Sequence, residues 1–311
     1  MPPNPVLRKL GFSDADRLVI IHTDDIGMCQ ASVQAFADLY DFGLISSGAV
    51  MVPCPWFYEA ARFARQHPQA DLGVHLTLTC EWQTYRWPPL STRDPASGLI
   101  DEEGCFYRST AQARQYGRPE AVQAEIEAQV ERAVRAGLAP THADTHMGVL
   151  AAEAFLPGYV RLAVARRLPA MLFRWNEGAE RAAHLPPEAA QRAAFFMNLL
   201  EELGLPLMDN LVGMPLDQPD HQLELAKHLF SNLPPGITHF ILHPSIDTPE
   251  LRAITPDWPS RVANYYTFLS EELRDHIRSI GVQVIGYRAL QNLMPDPAST
   301  LAALDAILAN P

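Results

Sequence analysis

Two adjacent carboxylates and a set of histidines stand out in this 311-residue chain because of where they fall. In RLVIIHTDDIGMC (17–29), four apolar residues run into His22, Thr23, Asp24 and Asp25. DLGVHLTL (71–78) carries His75, and PTHADTHMG (140–148) carries His142, Asp144 and His146. HFILHPS (239–245) ends in His243 before Pro244. Carboxylates and imidazoles together suit a borderline divalent cation such as Zn²⁺, with Mn²⁺, Co²⁺ or Mg²⁺ as alternatives. A catalytic ion typically takes three protein ligands and keeps a place for water. One aspartate of the pair can then hold the ion while the other takes a proton from water. The cation also offsets the repulsion between the two carboxylates and keeps both ionised. His142 is either a direct ligand or a neighbour of one, and Asp144 reads as the partner that orients a histidine. The plain alternative for Asp24 or Asp25 is the N-cap of the next helix, and for His75 a satisfied core histidine.

Each of these residues stands at the end of an apolar run. Periodicity predicts strands at 18–21, 45–52, 72–78, 141–145, 170–173, 205–209, 238–242 and 282–285. It predicts helices at 31–40, 56–66, 119–136, 155–167, 187–203, 221–233, 260–280 and 297–310. Alternating strands and helices imply parallel pairing, because a parallel neighbour needs a crossover. The expected fold is α/β: a single-domain (β/α) barrel over residues 1–311, related to the TIM barrel and either complete, distorted or seven-stranded. An open doubly wound sheet is the alternative. Both bind ligands at the carboxyl ends of the strands, so the polar residues would meet on one rim. Adjacent side chains can share that rim where the pleat breaks at a strand end. Residues 80–117, rich in Trp, Tyr, Pro and Gly, form a long insertion after the third strand, at the barrel mouth.

The net charge of -12 argues against nucleic acid or an anionic membrane as partner, since phosphates would be repelled. A 48% hydrophobic composition suffices for a large core. The sequence shows neither an apolar run near the roughly 18 residues of a membrane span nor a signal-peptide pattern, so a cytoplasmic location is expected. The four cysteines, Cys29, Cys54, Cys80 and Cys105, read as free thiols.

Taken in order, the motifs resemble those of the YdjC-like carbohydrate deacetylases, the group that includes chitooligosaccharide deacetylase. HTDDIGMC matches an Asp-Asp pair followed by an aromatic or apolar residue and Gly, and LGVHLTLT matches Gly-x-His-Leu. PTHADTHMG matches Thr-His-x-Asp-Ser-His with Thr145 for Ser, and ILHPS matches His-Pro after an apolar strand. The resemblance covers residues 18–287. It implies a barrel-related fold, a divalent metal (Zn or Mg) and hydrolysis of the N-acetyl group of an amino sugar. Carried over by position, Asp25, His75 and His146 would be the metal ligands, Asp24 the general base, and His243 the acid that protonates the leaving amine. A homodimer is compatible with the resemblance. Trp82, Tyr85 and Trp87 would stack on sugar rings, or else bury the long loop. Arg174 would orient a carboxylate or hold substrate, or else form a surface ion pair. His22, His184, His221 and His239 read as structural. Gly148 stands where family members often carry a further His, and Met28-Cys29 replaces Leu-Ser, with Cys29 read as a helix-start residue. Two other functions compete. Amidohydrolases acting on other amides usually begin with His-x-His on the first strand, where this chain has Asp-Asp. A sugar-binding barrel without catalysis would have little reason to retain all five residues.

Overall fold

The computed structural model describes residues 2–175 and 186–308. Among these residues seven strands form one parallel sheet: β1 (Arg17–Ile26), β2 (Ser47–Val50), β3 (Leu72–Leu76), β4 (Ala143–Thr145), β5 (Asn210–Gly213), β6 (Gly236–Leu242) and β7 (Gln283–Val284). Their order is β4-β3-β2-β1-β6-β5, with β7 paired to the start of β1 at Leu18 and Val19. The sheet curls into a half-barrel. Single bridges, Ala143↔Ala170 and Phe173↔Met208, carry pairing from β4 toward β5. The strands expected at 170–173 and 205–209 therefore survive only as isolated bridges.

β1 lies at the centre, and all its residues from Leu18 onward are buried. Successive residues of a strand face opposite sides, and β1 uses both. Val19 and Ile21 pack into the large core under the surrounding helices. Leu18 and Ile20 join Ile237, Met208, Tyr287 and Leu290 in a smaller cluster, which Val6 and Leu7 of the helix Pro5–Lys9 complete. The same face of β1 that begins with Leu18 and Ile20 continues into His22 and Asp24. It thus changes from apolar to polar along its length.

The helices follow their local signals. Gln30–Phe42 stops at Gly43, which takes a left-handed φ of 80°. Pro119–Arg135 starts on proline. The helix expected at 260–280 is two helices, Trp258–Phe268 and Glu271–Ser279, because the Ser270 hydroxyl accepts the Leu273 N–H and caps a new start. The terminal helix spans Pro297–Leu308. Residues 309 and 310 of its expected range, and His184, lie outside the described residues. The 80–117 insertion is ordered by its own short helix Thr110–Tyr116, by an antiparallel bridge Ile100↔Phe106 and by Arg86 paired with Asp101 and Glu103. Among the described residues no helix is long and apolar enough to cross a membrane.

Candidate active site

A bulge in β1 explains how neighbouring carboxylates reach one site. Thr23 pairs with Gly48 and Ile26 with Val50, so three steps along β1 answer two along β2. Asp25 occupies the extra place with φ 61°, a left-handed conformation that costs a non-glycine residue about 1–3 kcal/mol. The strand does not end before the pair, as expected, but is buckled through it. The bulge presses on β2: a Cβ at Gly48 would stand 2.4 Å from Thr23 Oγ1 and 2.5 Å from Ile26 Cδ1. Neither aspartate caps the next helix, because that position belongs to Cys29.

Asp25, His75 and His146 converge. His146 Nδ1 lies 3.2 Å from both Asp25 Oδ1 and His75 Nε2, and His75 Nε2 lies 3.6 Å from Asp25 Oδ1. Three donors at about 2.1 Å from one tetrahedral ion stand about 3.4 Å apart, so this spacing fits a shared cation. Two observations support the fit. Two ring nitrogens face each other at hydrogen-bond distance, and Asp25 Oδ1 is buried without a well-formed hydrogen bond. The other oxygen, Oδ2, accepts a 2.7 Å bond from Arg261 Nη1. Burial would raise the Asp25 pKa, but Arg261 and His146 hold it well below the usual carboxylate range.

Carboxylates hold the far side of each imidazole. Asp144 Oδ1 sits 2.9 Å from His75 Nδ1, where a carboxylate can set the orientation of the ring. Glu81 oxygens sit 3.1 and 3.2 Å from His146 Nε2. Burial disfavours both imidazolium forms. Asp144 and Asp24 nonetheless raise the His75 pKa, and Glu81 and Asp25 raise that of His146 well above its ordinary value.

Asp24 and His243 flank the triad. Asp24 Oδ2 is 3.7 Å from His243 Nε2 and 3.9 Å from His75 Nε2. Burial opposes ionisation of Asp24, but His75 and His22 lower its pKa, so it is a carboxylate near neutrality. His243 is one-fifth exposed, and its backbone N–H is held by Asn264. Burial lowers its pKa, and Asp25 and Asp24 only partly offset this.

Beneath lies a buried layer built from His22, His239 and His142, of which only His22 and His239 were expected to be purely structural. His22 Nε2 faces Asp144 Oδ2 at 3.0 Å and Asp24 Oδ1 at 3.1 Å, while its Nδ1 faces Ser47 Oγ at 3.1 Å. Burial lowers the His22 pKa, but hydrogen bonds to Asp144 and Asp24 outweigh it and push the value up to about 9. This pairing favours the protonated ring between the two carboxylates. His239 meets the Tyr287 hydroxyl at 3.0 Å. His142 stacks on Tyr287 with centroids 3.9 Å apart, and its ring covers Gly73, where a Cβ would lie 2.4 Å from Nε2. His142 is packed there and stands outside the Asp25–His75–His146 group.

Other expected site residues are engaged differently. Arg174 bonds Glu201, Asp209 and the Pro2 carbonyl, so its donors are taken up by the fold, in a buried rather than a surface ion pair. Trp87 is 1% exposed and donates from Nε1 to Thr79 O, which leaves no face for a sugar ring. Tyr85 donates to Met28 O, and Trp82 packs on Trp87 with Arg261 5.9 Å from its ring. These aromatics bury the insertion, and of them Trp82 borders the site. Cys29 is buried, and burial pushes its thiol up to about 11. Gly148 takes a left-handed φ of 66°, and a Cβ there would meet nothing within 4 Å. Arg261 and Glu81 escaped sequence reasoning. Arg261 is 236 residues from its partner, with no motif around it. His22 did leave a signal, since it stands two residues before Asp24 on the same strand face.

The pattern of the YdjC-like protein family matches residues 18–279 of this chain. A carbohydrate deacetylase of Thermus thermophilus is 34% identical over 271 residues, covering 86% of this chain and 92% of that protein. A carbohydrate deacetylase of Thermoanaerobacter pseudethanolicus is 22% identical over 88% of this chain and its own full length. A crystal structure from Enterococcus faecalis, described as a candidate cellobiose-phosphate cleavage protein, superposes with a TM-score of 0.73 at 22% identity, covering 88% of this chain and 99% of that one. At that identity the superposition speaks for the fold alone.

Proposed function

Because this chain belongs to the YdjC-like protein family, we propose that it is a metal-dependent hydrolase that removes the acetyl group from an N-acetylated amino sugar or oligosaccharide. The observation that carries the mechanism is the convergence of Asp25, His75 and His146 beside an ionised Asp24 and a half-buried His243. Two imidazoles and one carboxylate favour a zinc-type ion over Mg²⁺, which prefers all-oxygen sites. Such an ion lowers the pKa of water and supplies positive charge where the amide oxygen becomes anionic.

The chain's own residues do the rest. Arg261 occupies Asp25 Oδ2 and leaves Oδ1 as the inward donor. Asp144 fixes the His75 ring so that Nε2 points inward. Asp24, kept ionised by His75 and His22, takes the proton of the attacking water. His243 delivers a proton to the departing nitrogen. Burial lowers its pKa, and the proton that Asp24 collects is the natural source for that transfer. The 3.7 Å between Asp24 Oδ2 and His243 Nε2 needs only a small side-chain rotation for that transfer. We read the curled sheet as a distorted, seven-stranded relative of the TIM barrel within one catalytic domain, with the site at the carboxyl ends of β1, β3, β4 and β6.

The test is acetate release from N,N'-diacetylchitobiose and a panel of N-acetylated sugars, with and without chelator. Release that stops on chelation and returns with Zn²⁺ is expected. A metal-loaded protein that frees no acetate from any of them refutes the reading.

A further inference from the structure

Glu81 belongs to no motif that matched, yet it touches a proposed ligand. Both its oxygens lie within 3.2 Å of His146 Nε2, the ring nitrogen opposite the one that faces Asp25 and His75. An imidazole with a carboxylate on one nitrogen carries its proton there and offers the other as a lone pair. The two ligating histidines thus use opposite nitrogens, His75 its Nε2 and His146 its Nδ1. Asp144 from β4 fixes the first and Glu81 the second.

The surrounding chain holds Glu81 in place. Its predecessor, Cys80, donates its N–H to Tyr107 O, and Cys80 Sγ accepts the Trp87 N–H at 3.2 Å. Trp87 Nε1 bonds Thr79 O, and the Tyr85 hydroxyl reaches Met28 O at 2.6 Å, beside the β1 bulge. On the opposite side, His146 opens a turn whose next two residues, Met147 and Gly148, are both left-handed, at φ 52° and 66°. Thr110 and Arg114, from the helix inside the insertion, hold the carbonyls of Met147 and Gly148. The insertion therefore grips His146 twice, through its ring and through the turn that follows it.

Building on the metal-dependent reading above, we propose that Glu81 is a positioning residue that fixes His146 as an Nδ1 metal ligand, and that the 80–117 insertion serves to seat it. Partners of this kind typically change metal affinity by about 10–100-fold when removed. The side chain is about one-fifth exposed, so water can take the place of its carboxylate at His146 Nε2 in the apoprotein.

The experiment measures Zn²⁺ affinity of the full chain by competition with a chromogenic chelator, in wild type, Glu81→Ala, Glu81→Gln and Asp25→Ala. Urea midpoints of the apoproteins are measured in parallel. Glu81→Ala should bind Zn²⁺ about 10–100-fold more weakly with an unchanged apoprotein midpoint. Glu81→Gln should recover part of the affinity, because its amide oxygen still accepts from Nε2–H. Wild-type affinity in Glu81→Ala overturns the proposal while leaving the metal site intact. So does an equal loss in both Glu81 variants accompanied by a lower apoprotein midpoint, which marks a structural role. Wild type binding Zn²⁺ no better than Asp25→Ala refutes the metal reading itself and the proposal with it.

Discussion

Replacing Arg261 with Met tests the electrostatic frame of the site. Arg261 Nη1 meets Asp25 Oδ2 at 2.7 Å, and the two side chains are 4% and 2% exposed. At an effective dielectric near 20, the attraction across that distance is about 6 kcal/mol. The variant avoids desolvating the guanidinium, which offsets part of this, but it strands Asp25 as a buried charge. Breaking one side of such a pair costs about 3–5 kcal/mol. Asp257, which also bonds Arg261, keeps Thr255 and lies nearer the surface, so it adds little. The apoprotein should therefore lose about 3–5 kcal/mol in urea unfolding. Zn²⁺ should restore more stability to the variant than to wild type, because the cation takes over the neutralisation of Asp25, and a ligand stabilises in proportion to how tightly it is held. A loss below about 1 kcal/mol would place the pair with ordinary surface bridges and refute the reasoning. Equal stabilisation of both proteins by Zn²⁺ would refute the link between Arg261 and the ion.

The two aspartates should separate by role. Asp25→Ala should lose bound metal, whereas Asp24→Asn should keep it and lose about 10²–10⁴ in kcat, as read by metal analysis and acetate release. Unchanged turnover in Asp24→Asn removes it as the base. Gly48→Ala should cost about 1–3 kcal/mol, since its Cβ would overlap Thr23 and Ile26 at the bulge, and a urea midpoint matching wild type would show that β2 yields freely. His22 gives a pH signature. Its folded pKa of about 9 stands above its ordinary 6.5, so its stabilisation is full below pH 6.5 and is lost as pH rises through 9. The difference is worth up to ~3 kcal/mol, so the wild-type apoprotein should weaken between about pH 6.5 and 9.5 relative to His22→Gln. Parallel stability curves for the two proteins would show that His22 is not the charged partner of Asp24 and Asp144.

Read along the chain, the sequence marks which strand ends bring carboxylates and imidazoles, and which residue types they offer. Apolar runs ending in Asp24–Asp25, His75, Asp144–His146 and His243 announce buried strands with polar ends, and hydrophobic periodicity is local enough to be read along the chain. It also offered Asp144 as a carboxylate that orients a histidine, and the folded chain sets it against His75 and His22. The rest arises only when the chain folds. The shared face of Asp24 and Asp25 comes from a bulge that exists only because β1 pairs with β2 around Gly48. Arg174 and Trp87 looked like site residues, but burial assigned them to ion pairing and packing. Arg261 and Glu81 reach the site from a late helix and from the insertion, and no spacing along the chain marks them. Charge pairing depends on distance in space, and only the curling of the sheet brings those distant segments within hydrogen-bond range of Asp25 and His146.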